Sequence, residues 1–177
     1  MKFKTMKLHI GGTEAHPEWK ILDIEPRPEV DFVGNAANLE QFADNSIEAI
    51  YASHVLEHFY HRLNGELLNT LSEWYRVLQP GGKLYISVPN LRVLCWLYLK
   101  EKLSVYDRYY LMAVMFGGQT NEYDVHKVGF DLEILSMFLK EVGFLNCKEV
   151  EGFGLFNDTS IMRIDNILIS LNVIATK

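Results

Sequence analysis

The six residues Ser53-His54-Val55-Leu56-Glu57-His58 bring a hydroxyl, two imidazoles and a carboxylate close together along the chain. Two chemistries fit them. The pattern His54-x-x-Glu57-His58 has the spacing of a helical zinc site. Histidines at i and i+4 share one helix face there, and Glu57 would act as general base on a metal-bound water. The same residues also suit the first turn of a helix over a nucleotide-like ligand, with His54 or His58 accepting a proton. A zinc site would need a third ligand. Cys95 and Cys147 stand alone and offer no C-x-x-C pair.

Other candidates stand where apolar runs end. Gly11-Gly12-Thr13 follows 7–10 and permits a tight turn with close approach of backbone to a ligand. Asp23 and Glu25 close the run 19–24, where a carboxylate can take both hydroxyls of a ribose. Gly34-Asn35-Ala36-Ala37 follows 30–33, and the Asn35 amide could read the edge of a base. Each has a plainer alternative as a turn or a cap.

Those residues need a scaffold, and the pattern supplies one. The runs 7–10, 19–24, 30–33, 49–52 and 83–88 are short, rich in β-branched or aromatic residues and stopped by Gly, Pro, Asn or Asp, as buried strands are. Over 63–78 the apolar spacing changes to three and four, which predicts a helix halted by Pro80-Gly81-Gly82. Residues 91–116 read as helical. Asp131 is placed to cap a helix through Val142 with Gly143 behind it, and 145–150 and 167–175 read as a closing antiparallel strand pair around the loop 152–166. Strands alternating with helices predict an α/β sheet covered on both faces, with ligands at the carboxyl ends of its strands. Only eight residues, 11–18, join the first two strands, too few for a full crossover helix, so one tight helical turn is expected there.

The chain has 177 residues, 49% of them hydrophobic, which fits one domain over 1–177 with a sizeable core. Its net charge of −6 argues against a nucleic-acid partner. The start MKFKTMKLHIGG lacks a signal-like apolar run, and 91–118 is too interrupted by charge to span a membrane. The expectation is a cytoplasmic protein with neither nucleic acid nor membrane as partner.

Read in order, the segments 8–12, 19–23, 35–48 and 52–58 and the turn Arg76-Val77-Leu78-Gln79-Pro80-Gly81-Gly82-Lys83-Leu84 resemble the class I S-adenosylmethionine-dependent methyltransferases, in particular the small bacterial proteins of the methyltransferase type 11 kind. The segments 126–130 and 142–144 look like the closing helix of that family, so the resemblance covers about 7–150. It implies a three-layer Rossmann-like sandwich, mostly parallel, with strand order 3-2-1-4-5-7-6, strand 7 antiparallel and a shortened first crossover. It further implies S-adenosylmethionine as cofactor, with S-adenosylhomocysteine as product, and a small-molecule acceptor. Asp23 and Ile24 would face the ribose, Asn35 and Ala36 the adenine, and Gly11, Gly12, Ser53 and His54 the methionine part. His54, His58 and His126 are the candidate catalytic bases, and no metal is implied. The aromatics of 91–123 are candidates for an acceptor pocket, and the glycine-led segment 117–126, with Tyr123 and His126, for a lid.

Two positions depart from the family. Thr13 replaces the usual glycine of the first turn, and Asn35 replaces an acid. They favour a second reading, a methyltransferase fold kept as a binding module with weak or no catalysis. Zinc hydrolysis through His54, Glu57 and His58 is a third, and a homodimer remains open.

Overall fold

The computed structural model describes residues 5–177. Residues 1–4, part of the basic start discussed above, lie outside the described residues. The elements in chain order are β1 (Met6–Ile10), β2 (Trp19–Asp23), β3 (Phe32–Val33), β4 (Ile47–Ser53), α1 (Glu66–Val77), β5 (Leu78–Pro89), α2 (Leu91–Tyr98), α3 (Val105–Phe116), α4 (Leu132–Val142), β6 (Leu145–Val150), β7 (Arg163–Ile164), β8 (Ile167–Leu168) and β9 (Ser170–Thr176). The main sheet runs β3-β2-β1-β4-β5-β9-β6. All its pairs are parallel except those of β9 with β5 and β6. This is the expected 3-2-1-4-5-7-6 order, since β9 is the seventh strand of the sheet and β7–β8 is a separate two-stranded hairpin.

The first crossover differs from expectation. Residues 11–18 form no helical turn, yet β1 and β2 pair in parallel from Lys7↔Trp19 to Ile10↔Leu22. Eight extended residues reach about 26 Å, more than the roughly 17 Å of a five-residue strand, so the chain can return without a helix.

The helices stop and start for local reasons. Two left-handed residues, Asn64 and Gly65, precede α1, and its chain turns extended at Leu78, two residues before Pro80. The Pro80-Gly81-Gly82 turn then sits inside β5 as a bulge, where the register jumps from Ile47↔Leu78 to Ala49↔Lys83. Asp131 caps α4 by accepting from Ile134 N, and Gly143 closes it in the left-handed region. The predicted 91–116 helix is two helices, because Ser104 and Asp107 form a reciprocal capping box that starts α3 afresh.

One sheet face carries the main core. Ile50 and Ala52 of β4, Leu84 and Ile86 of β5 and Val173 of β9 lie under Leu71 and Trp74 of α1 and Leu135 and Leu139 of α4, and all nine are buried. The third layer is present as chain and not as helix. Phe153 and Phe156, from the loop after β6, pack on Trp19, Tyr51 and Tyr85.

Candidate active site

A cavity of about 240 Å³ opens at the carboxyl ends of β1, β2 and β4. Of the residues singled out in the sequence, Gly11, Asp23, Ile24, Asn35, Ala36, His54 and His58 line it. Ile10, Leu22, Val55 and Phe59 add apolar wall, Tyr123 of the candidate lid segment and Lys127 add polar groups, and so does Glu66, which no motif marked in advance.

The acid end is already organised. Asp23 accepts from the Glu25 amide at 2.8 Å and from Arg27 Nη2 at 3.1 Å, and Arg27 also donates to Gly12 O at 2.7 Å. A carboxylate has about four acceptor sites, so two remain for ligand hydroxyls. Asn35 forms the local turn that its residue type suggests, with its carbonyl accepting from Ala37 N at 2.9 Å.

The glycine turn is filled by the protein itself. Gly11 holds φ +74°, and a Cβ there would meet Val55 Cγ2 at 2.8 Å. A Cβ on Gly12 would meet the His9 ring at 2.6 Å. Gly12 does not line the cavity, and neither does Ser53, whose hydroxyl lies 3.2 Å from Thr159 Oγ1. The residues present therefore fit the adenosine half of a nucleoside cofactor, while the methionine half would run past Val55.

The three predicted histidines converge on one buried group, Glu57. His54 Nδ1 lies 3.3 Å from its Oε1 and His126 Nε2 3.8 Å, while the His58 and His126 rings pack edge to face at 4.8 Å. Their order around it follows from hydrogen-bond logic. The Ser170 hydroxyl gives its single proton to Thr159 O at 2.7 Å, so it can only accept from His54 Nε2 at 2.9 Å. With its Nε2 turned to Ser170, His54 approaches Glu57 through Nδ1, although neither buried Glu57 oxygen makes a hydrogen bond among the described residues. Both ring nitrogens of His54 thus face protein groups, Ser170 and Glu57. His54 holds φ +54°, a backbone conformation that only the surrounding contacts can maintain.

His58 is different. Its Nδ1 lies 3.2 Å from Val125 O, a contact that requires Nδ1–H and leaves Nε2 with an open lone pair. His126 lies below the cavity, nine-tenths buried, and its Nδ1 has no hydrogen-bond partner among the described residues. Burial lowers its pKa, against the raising influence of Glu57. For Glu57, burial alone would raise the pKa, but the His54 contact and the electrostatic influence of the surrounding His54, His58 and His126 rings override it and hold the carboxyl below its usual range.

The helical zinc arrangement is not formed. Only Leu56–His58 make a short 3-10 turn, and His54 is turned to Ser170 and Glu57. Glu57, His58 and His126 do offer ligand atoms within 4.8 Å of one another, wider than the roughly 3.3 Å separation set by zinc–ligand bonds of about 2.0 Å. The segment 117–126 is stitched shut. Asp124 takes Gly118 N, Thr120 N and the Thr120 hydroxyl, and Tyr123 is placed on the cavity wall. The exposed aromatics of α2 and α3 do not line the cavity, against the expectation of an acceptor pocket there.

Residues 13–86, which begin just after Gly11-Gly12 and include Asp23, the Asn35 turn, His54, His58 and the Pro-Gly-Gly bulge, match the family model of the methyltransferase domain. That match covers 74 of the 177 residues. The chain is 28% identical over 162 residues to a demethylmenaquinone methyltransferase of Chlorobaculum parvum, covering 88% of this chain and 63% of that protein. Its counterpart in Chlorobaculum tepidum is 27% identical, with 62% of that protein covered. The chain thus spans less than two thirds of the length of these relatives. Among solved structures, a SAM-dependent methyltransferase from Archaeoglobus fulgidus superposes with a TM-score of 0.59 at 17% identity, covering 98% of this chain and 86% of that one. The 1,6-didemethyltoxoflavin-N1-methyltransferase of Burkholderia thailandensis gives 0.58 at 13% identity, with 98% and 71% covered. At such identities these two likenesses establish the fold.

Proposed function

We propose that this chain is a methyltransferase that transfers the methyl group of S-adenosylmethionine to a small-molecule acceptor, with His58 Nε2 taking the acceptor's proton. The observation that carries the reading is the single cavity that joins Asp23, Asn35 and Ala36 to His58. Asp23 holds the ribose hydroxyls, Asn35 and Ala36 flank the adenine, and Ile24 and Phe59 exclude water from the base. The cofactor supplies an electrophilic methyl on a sulfonium. His58, which lines the same cavity, would take the proton that the acceptor's oxygen or nitrogen loses on accepting the methyl group. Positioning supplies most of the acceleration in such an in-line displacement. His54, set between Ser170 and Glu57, fixes the loop that carries His58, and His126 packs edge to face on the His58 ring. The Chlorobaculum relatives are named for demethylmenaquinone, so quinol-type hydroxyls are the first acceptors to try.

Calorimetry with S-adenosylhomocysteine tests the first half. Micromolar binding that Asp23→Ala abolishes supports the reading, and no binding at millimolar ligand overturns it. Product release with a panel of hydroxyl acceptors tests the second. His58→Ala should lower turnover at least about a hundredfold, the lower end for general-base catalysis, with cofactor affinity unchanged. The bond network already on Asp23 and the filling of the glycine turn by Val55 favour one other reading, a binding module that keeps the fold without turnover.

A further inference from the structure

The α2–α3 pair projects from the carboxyl end of β5 with its own small core of Leu94, Leu97, Leu111 and Ile169. Most of its apolar surface is left outside that core. Val105, Tyr109, Met112 and Phe116 recur at four, three and four along α3, the spacing of a single helix face, yet they are 68%, 67%, 40% and 55% exposed. Trp96 and Leu99 of the neighbouring α2 end are 55% and 78% exposed. Between the helices lies an apolar groove of about 320 Å³ that reaches from Cys95 to Phe116. A stripe of this kind ordinarily faces a core, and here it faces solvent.

Its charge says what would cover it. Residues 91–116 hold four cations (Arg92, Lys100, Lys102 and Arg108) against two anions (Glu101 and Asp107), in a chain of net charge −6. Asp107 is spent on the Ser104 capping box, and Lys100 lies over the Trp96 ring at 4.7 Å while reaching Asp165 at 3.8 Å. The projection is thus basic and aromatic on an otherwise acidic body. We infer that the α2–α3 face docks on an anionic lipid bilayer surface, with the Val105–Phe116 stripe and Trp96 at the headgroup–acyl boundary and the cations against the phosphates. Trp and Tyr favour that boundary because one end of each ring system is apolar and the other polar. The acidic remainder of the chain is repelled by the same surface, which fixes which way the domain faces. A second copy of this chain fits less well, since it would bring two positive patches together. The expectation of no membrane partner rested on the absence of a span. No described helix is long and apolar enough to cross a bilayer, but surface docking needs none.

The face also adjoins the site. His126 N donates to Phe116 O at 3.0 Å, so the end of the stripe is covalently one residue from the start of the 117–126 segment that walls the cavity. Docking therefore presents the cavity beside the lipid surface, whatever the acceptor proves to be.

Intrinsic fluorescence reads the proposal directly. Of the three tryptophans, Trp19 and Trp74 are buried at 4% and 0% exposure, so Trp96 is the one that changes environment on docking. Vesicles of phosphatidylglycerol mixed with phosphatidylcholine should sediment the protein and shift its emission to the blue. Pure phosphatidylcholine and high salt should each weaken both signals. The pair Lys100→Glu and Lys102→Glu should reduce partitioning at least about tenfold, as expected for reversing two juxtamembrane charges. Tyr109→Ser with Val105→Ser should reduce it with the charges intact, and an unchanged thermal midpoint in both variants shows that the fold is kept. No sedimentation with the anionic vesicles overturns the inference. So does a concentration-dependent dimer in sedimentation velocity that shifts Trp96 emission without lipid.

Discussion

The two faces of the sheet are built on different principles. Under α1 and α4 the strands present aliphatic side chains, and Leu84, Ile86, Leu171 and Val173 are at most 1% exposed. On the opposite face the same strands present His9, Trp19, Tyr51 and Tyr85, covered by Phe153 and Phe156 from a loop. A helix offers a continuous apolar stripe, and a loop cannot, because its backbone groups must still find partners. Where helices are missing, the sheet supplies its own cover with rings. His9 lies 4.1 Å from Phe156 and 4.8 Å from Tyr51, and Tyr51 lies 5.4 Å from Phe153, centroid to centroid. The second face is thus held by edge-to-face and tilted ring contacts and a few polar bonds, and it carries the buried imidazole of His9.

Four measurements bear on that contrast, the largest effect first. Trp74→Ala removes the largest side chain of the helix-covered face and orphans Ala36 O, which Trp74 Nε1 reaches at 2.9 Å. Denaturant unfolding should show a loss of about 4 kcal/mol. Acidification should act through the other face. Burial lowers His9 to about 4, below its ordinary value of 6.5, so the unfolded chain binds a proton in that interval that the folded chain does not. Stability is therefore full above pH 6.5 and falls as the pH drops from about 6.5 to about 4, by roughly 3 kcal/mol from this group. His9→Phe should flatten that part of the profile. Phe156→Ala should cost about 2 kcal/mol, less than a buried phenylalanine because the ring is only partly covered. A cost equal to that of Trp74→Ala would erase the distinction between the faces. Tyr51→Phe should cost about 1 kcal/mol, the worth of the hydroxyl that donates to Asp158 at 2.8 Å.

Some of this architecture is written locally, and some is not. The α4 boundaries could be read off Asp131 and Gly143 because each does its work within one turn. The cavity residues Asp23, Asn35 and His58 could be picked out because each stands just beyond an apolar run, whereas the strand order came from the family resemblance and not from the pattern itself. The break between α2 and α3 was missed although its signal, Ser104 with Asp107 three residues on, is a capping box in plain sight. The role of Gly12 could not be read, since the atom it makes room for belongs to His9, reached only when the chain folds back. Nor could the division of labour among the histidines. That His54 faces Glu57 while His58 keeps a free lone pair depends on Ser170 and Val125, which are 116 and 67 residues away.

The short return between β1 and β2 has a kinetic consequence. Parallel strands ordinarily form late, because a long crossover must be closed before any contact rewards it. Here β1 reaches β2 across residues 11–18 and β2 reaches β3 across 24–31, so one edge of the sheet is made of near neighbours in sequence. The antiparallel partner β9 pairs with β5 at separations such as Lys83↔Thr176. The transition state for folding is expected to contain the β1–β2 edge and to lack β9. Ile21→Val should then slow refolding with little change in unfolding, and Val173→Ala should chiefly speed unfolding.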